Sequence, residues 1–218
     1  MTGTGTVVLV DDDPAVRRSL SLALNLAGYE VKAFACGGDL LRDLDMEQVG
    51  CLLLDLRMPD MSGLELQQEL SERGCALPVI FMSAFGDIPT TVRALKGGAL
   101  DFLEKPFSTE SLITRVEEAL ATDSAMRAER DWRSRIAERA RQLTGREREV
   151  MALVTDGLSN KEIARRFEIS PRTVEKYRAR VMEKMQAANL ADLCQMVAAV
   201  PAALDGTSVA RRAESGTG

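Results

Sequence analysis

Four apolar runs in the first half of this sequence end on residues able to handle a phosphoryl group. TVVLV (6–10) leads into Asp11 and Asp12, CLLL (51–54) into Asp55, PVIFM (78–82) into Ser83, and LDFLE (100–104) into Lys105. Carboxylates gathered in one place repel, and one of them takes up a proton unless a cation stands among them. Mg2+ suits such a group, because it prefers hard oxygen ligands and keeps coordination sites open for a phosphate. Asp11, Asp12 and Asp55 set against a dication and Lys105 close near neutrality. A hydroxyl at Ser83 could then hydrogen-bond a phosphoryl oxygen, and the lysine could steady the charge that develops during transfer. The chemistry that fits is transfer of a phosphoryl group to an aspartate.

These residues meet only if a sheet brings the ends of the runs together. The runs, with EVKAF (30–34) as a fifth, have the length and composition of strands, and the stretches between them are long enough for one helix each. The first helix is well marked: Asp13 reads as an N-cap, Pro14 as the first helical residue, and Val16, Leu20, Leu24 and Ala27 keep helical spacing up to Gly28. Five such units predict an α/β fold, a doubly wound five-stranded parallel sheet with helices on both faces. Ligands of these sheets bind beyond the carboxyl ends of the strands. In the doubly wound order strand one lies beside strand three, which places Asp11 and Asp12 near Asp55. The apolar run before Asp55 is then a buried, rigid post for a carboxylate. Taken singly, an acid at a strand end is more often a solvated loop residue than a ligand; the convergence of four strand ends carries the reading.

The chain has 218 residues, 45% of them hydrophobic, enough for one large domain or two modest ones. Acids outnumber bases 33 to 28, which taken alone argues against a protein that coats nucleic acid. That balance averages two unlike parts: residues 1–121 hold 19 acidic and 10 basic side chains, residues 122–200 hold 12 and 16. The two parts are expected to meet different partners. Cys36, Cys51, Cys75 and Cys194 form no CxxC pair and the sequence has no histidine, so neither a zinc site nor a disulfide framework is indicated. No apolar run approaches the roughly 20 residues of a membrane helix and no leader opens the chain, so a soluble, cytoplasmic protein with no membrane partner is expected.

Past residue 121 the pattern becomes helical throughout. Residues 122–142 lack glycine and proline and place Trp132, Ile136 and Ala140, with Leu143 beyond, on one stripe. This predicts a helical linker, either packed as a connector or paired with a second copy. In 143–185 Thr144 and Glu147 form a capping box, Gly157 stops a helix, and Ser170-Pro171 starts another. Only Phe167 to Ser170 separates the second and third helices, the tight turn of a helix-turn-helix. Ile163, Phe167, Ile169, Val174, Val181 and Met185 have the spacing of a small shared core. The outer side is basic, with eight Lys or Arg against four Glu in residues 158–186. Such a helix can lie in the major groove of double-stranded DNA. ADLCQMVAAV (191–200) predicts a fourth helix, so 143–200 reads as a small all-α domain; 201–218 has no periodicity and reads as disordered.

VLVDDDP, LLLDLRMPDMSG, MSAFGD and DFLEKPF together resemble the receiver domain of bacterial two-component response regulators, over about residues 5–121, which makes 1–121 the receiver domain. The resemblance implies a flavodoxin-like fold, Asp55 as phosphoacceptor, and Asp12 as the main Mg2+ ligand, with Asp11 acting directly or through water and the Arg57 carbonyl completing the set. It also implies Ser83 and Phe102 as a switch pair and Lys105 as the phosphate-contacting lysine, before a cis bond to Pro106. Residues 143–199 resemble the LuxR-type helix-turn-helix. That resemblance makes Pro171 to Lys184 the recognition helix: Glu175, Lys176 and Ala179 face bases, Thr173, Arg178 and Lys184 lie near the DNA backbone, and Lys161 anchors the preceding helix. GDIPTTVRALKGGALDFLEKPF is most similar to the FixJ and StyR subgroup. The expectation is a regulator and not an enzyme: a sensor histidine kinase supplies the phosphoryl group, the product dimerises on DNA half-sites, and the dimer activates transcription through RNA polymerase. A different reading takes VVLVDDD as the Asp-x-Asp opening of a haloacid-dehalogenase-like phosphatase, with Asp11 as the nucleophile and Asp13 as its partner. It leaves Asp55 and RMPDMSG without a role.

Overall fold

A computed structural model describes residues 5–43, 49–84 and 88–201, the last without the side chains of 88–91. The disorder expected for 201–218 lies, past Pro201, outside the described residues. The chain divides into two compact units, Met1–Arg127 and Ala128–Gly218.

In the first unit strands β1 (Thr6–Val10), β2 (Glu30–Phe34), β3 (Val49–Asp55), β4 (Val79–Ser83) and β5 (Asp101–Glu104) alternate with helices α1 (Pro14–Leu26), α2 (Gly37–Asp43), α3 (Gly63–Glu72), α4 (Ile88–Lys96) and α5 (Thr109–Arg141). All neighbouring strands are parallel, in the order β2-β1-β3-β4-β5. This is the doubly wound, flavodoxin-like sheet that the βα alternation predicts. The central strands β1, β3 and β4 are buried at every position, whereas the edge strands β2 and β5 keep partly open positions. β3 begins two residues before the apolar run, at Val49-Gly50, where glycine gives no side-chain signal.

Strand alternation sorts the core into two layers. Val8, Val10, Leu52, Leu54, Val79 and Phe81 face one side of the sheet. Val7, Leu9, Cys51, Leu53, Ile80, Met82 and Leu103 face the other, against Leu112, Val116 and Leu120 of α5. Each fully buried aliphatic side chain contributes about 1.5–3 kcal/mol, so both layers hold the strand register firmly. α1 starts as its sequence indicates, with Asp13 Oδ1 accepting from the Ala15 and Val16 amides at 2.7 and 3.4 Å and Pro14 in the first turn. Its chain reversal uses Gly28 at φ 94°.

The second unit holds α6 (Gly145–Thr155), α7 (Asn160–Phe167), α8 (Pro171–Met185) and α9 (Leu190–Ala199), together with the last turns of α5. The stripe Trp132, Ile136, Ala140 and Leu143 packs with Met151, Val181, Met185, Leu193 and Met196, with Trp132 at the margin, so this part of α5 serves as a packed connector within the unit. The single core expected for the helix-turn-helix resolves into two clusters. Val181 and Met185 join the one just described, and Ile163 and Val174, with Phe167 and Ile169 at their margin, join Val150 and Val154. Capping boxes start α6 (Thr144 with Glu147) and α7 (Ser159 with Glu162), and Ser170 caps α8.

The turn between α7 and α8 is made without glycine. Glu168 sits at φ 55°, ψ 40°, and Gln186, at the end of α8, at φ 55°, ψ 37°. A side chain with a Cβ is disfavoured there, while glycine is not. Glu168→Gly should therefore raise the stability of this unit by about 0.5–1 kcal/mol. Thermal unfolding of the variant against wild type checks this, and an unchanged or lower midpoint would contradict it.

Candidate functional site

The register Val10↔Leu54 places the residues that follow, Asp11 and Asp55, side by side at the carboxyl edge of the sheet. Alternation then gives both side chains the same face as Leu9 and Leu53, and gives Lys105 the face of Leu103. The three meet. Lys105 Nζ donates to Asp11 Oδ2 at 2.7 Å and to Asp55 Oδ1 at 2.6 Å. The remaining oxygens also accept: Asp55 Oδ2 from the Arg57 amide at 2.8 Å, Asp11 Oδ1 from the Asp13 amide at 2.9 Å. Arg17, one turn into α1, donates to the Asp11 carbonyl at 2.6 Å. The Asp11 side chain is 1% exposed and that of Asp55 10%, so Asp55 is the carboxylate a reactant can reach.

Burial pushes the Asp55 carboxyl above its ordinary range, against the opposing pull of Lys105 and the Arg57 amide. Burial acts on Lys105 in the opposite sense, but its hydrogen bonds to Asp11 and Asp55 outweigh it and the ammonium is held more tightly than usual. The lysine is thus a fixed positive charge beside a carboxylate that desolvation makes more basic.

The loop after Asp55 folds back on the strand. The Gly63 amide donates to the Leu56 carbonyl at 3.1 Å, and a Cβ at position 63 would stand 2.4 Å from the Asp55 carbonyl oxygen and 2.9 Å from the Phe81 ring. Nothing rigid can yield there, so Gly63→Ala must displace the backbone of Asp55 itself. A loss of about 1–3 kcal/mol in thermal or urea unfolding is expected, and wild-type stability would show that the approach is looser than this geometry.

Asp12, the next residue after Asp11 beyond the end of β1, is exposed, and no group of three acidic, imidazole or thiol side chains is gathered among the described residues. The groups that converge are two carboxylates, whose oxygens are the only possible ligands among them, and one ammonium, with net negative charge, beside the Arg57 amide. Hard oxygens with a charge left to neutralise suit Mg2+, which binds through one or two carboxylates and fills the remainder with water and phosphate.

Ser83 closes β4, is 2% exposed, and through its carbonyl accepts from the Lys105 amide at 2.7 Å. Phe102 pairs with Phe81 across β4 and β5 and packs, half-buried, on the same layer as Phe81. Ser83 thus stands at the carboxyl edge of the sheet, where β3 also ends in Asp55, two residues after the Phe81 on which Phe102 packs. The Lys105-Pro106 bond is cis. Asp13, the second acid of an Asp-x-Asp reading, is used as the α1 cap, accepting from the Ala15 and Val16 amides.

In the second unit the outer face of α8 presents Glu175, Lys176 and Ala179 to solvent, and Lys161 is exposed on α7. Thr173 shares a 2.8 Å hydrogen bond with the capping Ser170 hydroxyl. Arg178 and Lys184 are committed inside the unit: Arg178 donates to Asn160 Oδ1 at 2.8 Å, and Lys184 Nζ to Glu147 Oε2 at 2.6 Å and to the Gln142 carbonyl at 3.2 Å. Sequence reasoning also passed over Arg146, whose guanidinium lies 3.6 Å from the Phe167 ring centroid and steadies the end of α7.

A family model described as the response regulator receiver domain matches residues 7–117, and one described as bacterial regulatory proteins of the luxR family matches residues 141–197. The FixJ transcriptional regulatory protein of Azorhizobium caulinodans is 44% identical over 190 residues, 87% of this chain and 90% of that one. The tetrathionate response regulatory protein TtrR of Salmonella typhimurium is also 44% identical, over 86% of this chain and 89% of its own. This chain belongs to the two-component response regulators. The solved structure of the response regulator StyR is similar as well, with a TM-score of 0.79 at 42% identity, covering 89% of this chain and 98% of that one. The response regulator thus joins a receiver domain to a LuxR-type DNA-binding domain and acts in transcription, not as an enzyme. Receivers of this kind work with a sensor kinase and bind Mg2+ at the phosphorylation site. Among the described residues of the regulator no helix is long and apolar enough to cross a membrane.

Proposed function

We propose that Asp55 is the phosphoacceptor and that its phosphorylation converts the regulator into a dimer that binds DNA and activates transcription. The observation that carries this is the pair of hydrogen bonds from Lys105 to Asp55 and Asp11 at the open edge of the sheet. An Asp55 oxygen attacks the phosphorus of a phosphohistidine on the sensor kinase; the P–N bond breaks, a P–O bond forms, and the histidine nitrogen takes up a proton. Lys105 holds Asp55 ionised before transfer and passes its hydrogen bond to a phosphoryl oxygen afterwards. Mg2+ would be held by Asp11, Asp12, Asp55 and the Arg57 carbonyl and would neutralise the phosphoryl oxygens.

The added oxygens attract the Ser83 hydroxyl, and Phe102 moves into the space that is vacated. With no hydroxyl on its ring, Phe102 acts by packing alone. Val92 and Leu95 of α4 and Leu100 beside β5 are 41%, 47% and 39% exposed, an apolar face suited to a second copy once it rearranges. Residues 1–121 form the receiver, 122–142 the linker, and 143–200 the DNA-binding domain. A dimer would pair two α8 helices over half-sites about one helical turn apart, with Glu175, Lys176 and Ala179 toward bases and Lys161 and Thr173 toward the backbone. Such a dimer would then contact RNA polymerase in the cytoplasm.

Gel filtration with an acyl phosphate and Mg2+ tests the reading. Phosphorylation should shift the regulator from monomer to dimer, and chelating the metal should prevent the shift. An elution volume indifferent to both would overturn the proposal.

A further inference from the structure

The exposed face of α8 carries charges of both signs in two helical rows. Arg172, Lys176 and Arg180 stand at i, i+4 and i+8, and Glu175, Ala179 and Glu183 form the adjacent row; all six are exposed. Among the described residues none of the five charged side chains makes an ion pair or side-chain hydrogen bond, whereas Arg178 and Lys184 are both engaged within the unit. The five unengaged charges are available to DNA.

The cationic row needs no special account beside phosphates, but the carboxylates do. A glutamate close to the DNA backbone is repelled by it, so it is tolerated on a recognition helix only where it meets a hydrogen-bond donor. Base edges in the major groove offer few. Guanine presents two acceptors and thymine an acceptor and a methyl group, while adenine sets an acceptor beside its amino group. Cytosine alone presents a donor without an acceptor, its N4 amino group. A carboxylate, which only accepts, therefore selects cytosine. Glu175 is the one placed to do so, because the first half of a recognition helix meets the bases and Glu183 lies about 12 Å further along the axis.

We propose that Glu175 reads a cytosine in each DNA half-site, accepting from its N4 amino group, while Arg172 and Arg180, on either side of Lys176, offset the phosphate repulsion along the same face. Arg180, outside the contacts implied by family resemblance, then replaces Arg178 and Lys184 as the phosphate-binding cation on this flank. The inference rests on α8 being the recognition helix.

Selection from a randomised duplex library, with the full chain treated with acyl phosphate and Mg2+, tests it. Wild type should enrich a symmetric motif with an invariant C·G pair in each half. Glu175→Gln, which adds a donor and so matches adenine, should lose about tenfold in preference for cytosine at that position, gain adenine, and keep the rest of the motif. Arg180→Ala should lower the slope of log affinity against log salt by about two, one for each subunit of the bound dimer, with the motif unchanged. An identical motif for wild type and Glu175→Gln overturns this inference alone, and an unchanged salt slope for Arg180→Ala overturns the assignment of Arg180. A wild type that enriches no motif removes the recognition-helix reading together with the inference.

Discussion

Asp55→Asn is expected to leave the regulator monomeric in acyl phosphate and Mg2+, with DNA affinity on the order of a hundredfold below that of the phosphorylated wild type, the gain that pairing two binding modules supplies. Asparagine keeps the shape of the side chain and one oxygen to accept from the Arg57 amide, but it lacks the charge that makes an attacking oxygen. The fold should survive. Burial already opposes ionisation of Asp55, so the amide removes an unfavourable desolvation together with the 2.6 Å contact to Lys105, and these partly cancel. Lys105 retains Asp11 at 2.7 Å. Circular dichroism should give a melting midpoint within a few degrees of wild type, which separates lost chemistry from lost structure. Dimerisation of Asp55→Asn on addition of acyl phosphate would contradict the account.

The second large effect is structural and lies in the DNA-binding domain. Glu147 is 2% exposed, yet it accepts from the Thr144 amide at 2.8 Å and from Lys184 at 2.6 Å, so one carboxylate caps α6 and ties it to α8. Burial alone would raise its pKa; the Lys184 ammonium and the Thr144 amide and hydroxyl outweigh this and hold it below the usual carboxylate range. Loss of a cap costs about 1 kcal/mol. A broken buried pair costs about 3–5 kcal/mol, less here because Lys184 is 32% exposed and can turn to water. Glu147→Ala should thus destabilise this unit by about 2–3 kcal/mol, or roughly 10 °C or more in melting midpoint, and lower DNA binding without touching the DNA-facing surface.

The sign of the pH dependence follows. A carboxylate whose folded pKa is depressed stabilises the fold above its unfolded pKa, and that contribution is lost as pH falls through the folded value. The gap in stability between wild type and Glu147→Gln should therefore be full near pH 6 and shrink below about pH 4. Urea unfolding across this range measures it, and a gap independent of pH would show that Lys184 contributes no charge interaction.

Much of the phosphoacceptor site was legible because alternation and strand order fix it together. Once Asp55 is placed at the end of its strand and Asp11 and Lys105 one residue beyond theirs, their common face follows from counting. The DNA-binding half was legible as helices, since capping boxes and Pro171 are local signals. Its charges were not, because no local rule separates a cation that faces solvent, such as Lys176, from one that bridges helices, such as Lys184. Glu168 and Gln186 escaped notice for a related reason: a left-handed residue is readable when it is glycine and silent when it is not.

Trapping the acyl phosphate by borohydride reduction after treatment with a small acyl phosphate and Mg2+, followed by peptide mass mapping, bears most directly on the phosphoacceptor. Modification at a single site, Asp55, is the predicted result. Modification at Asp11 instead, or continuous phosphate release with none of the protein trapped, would contradict it.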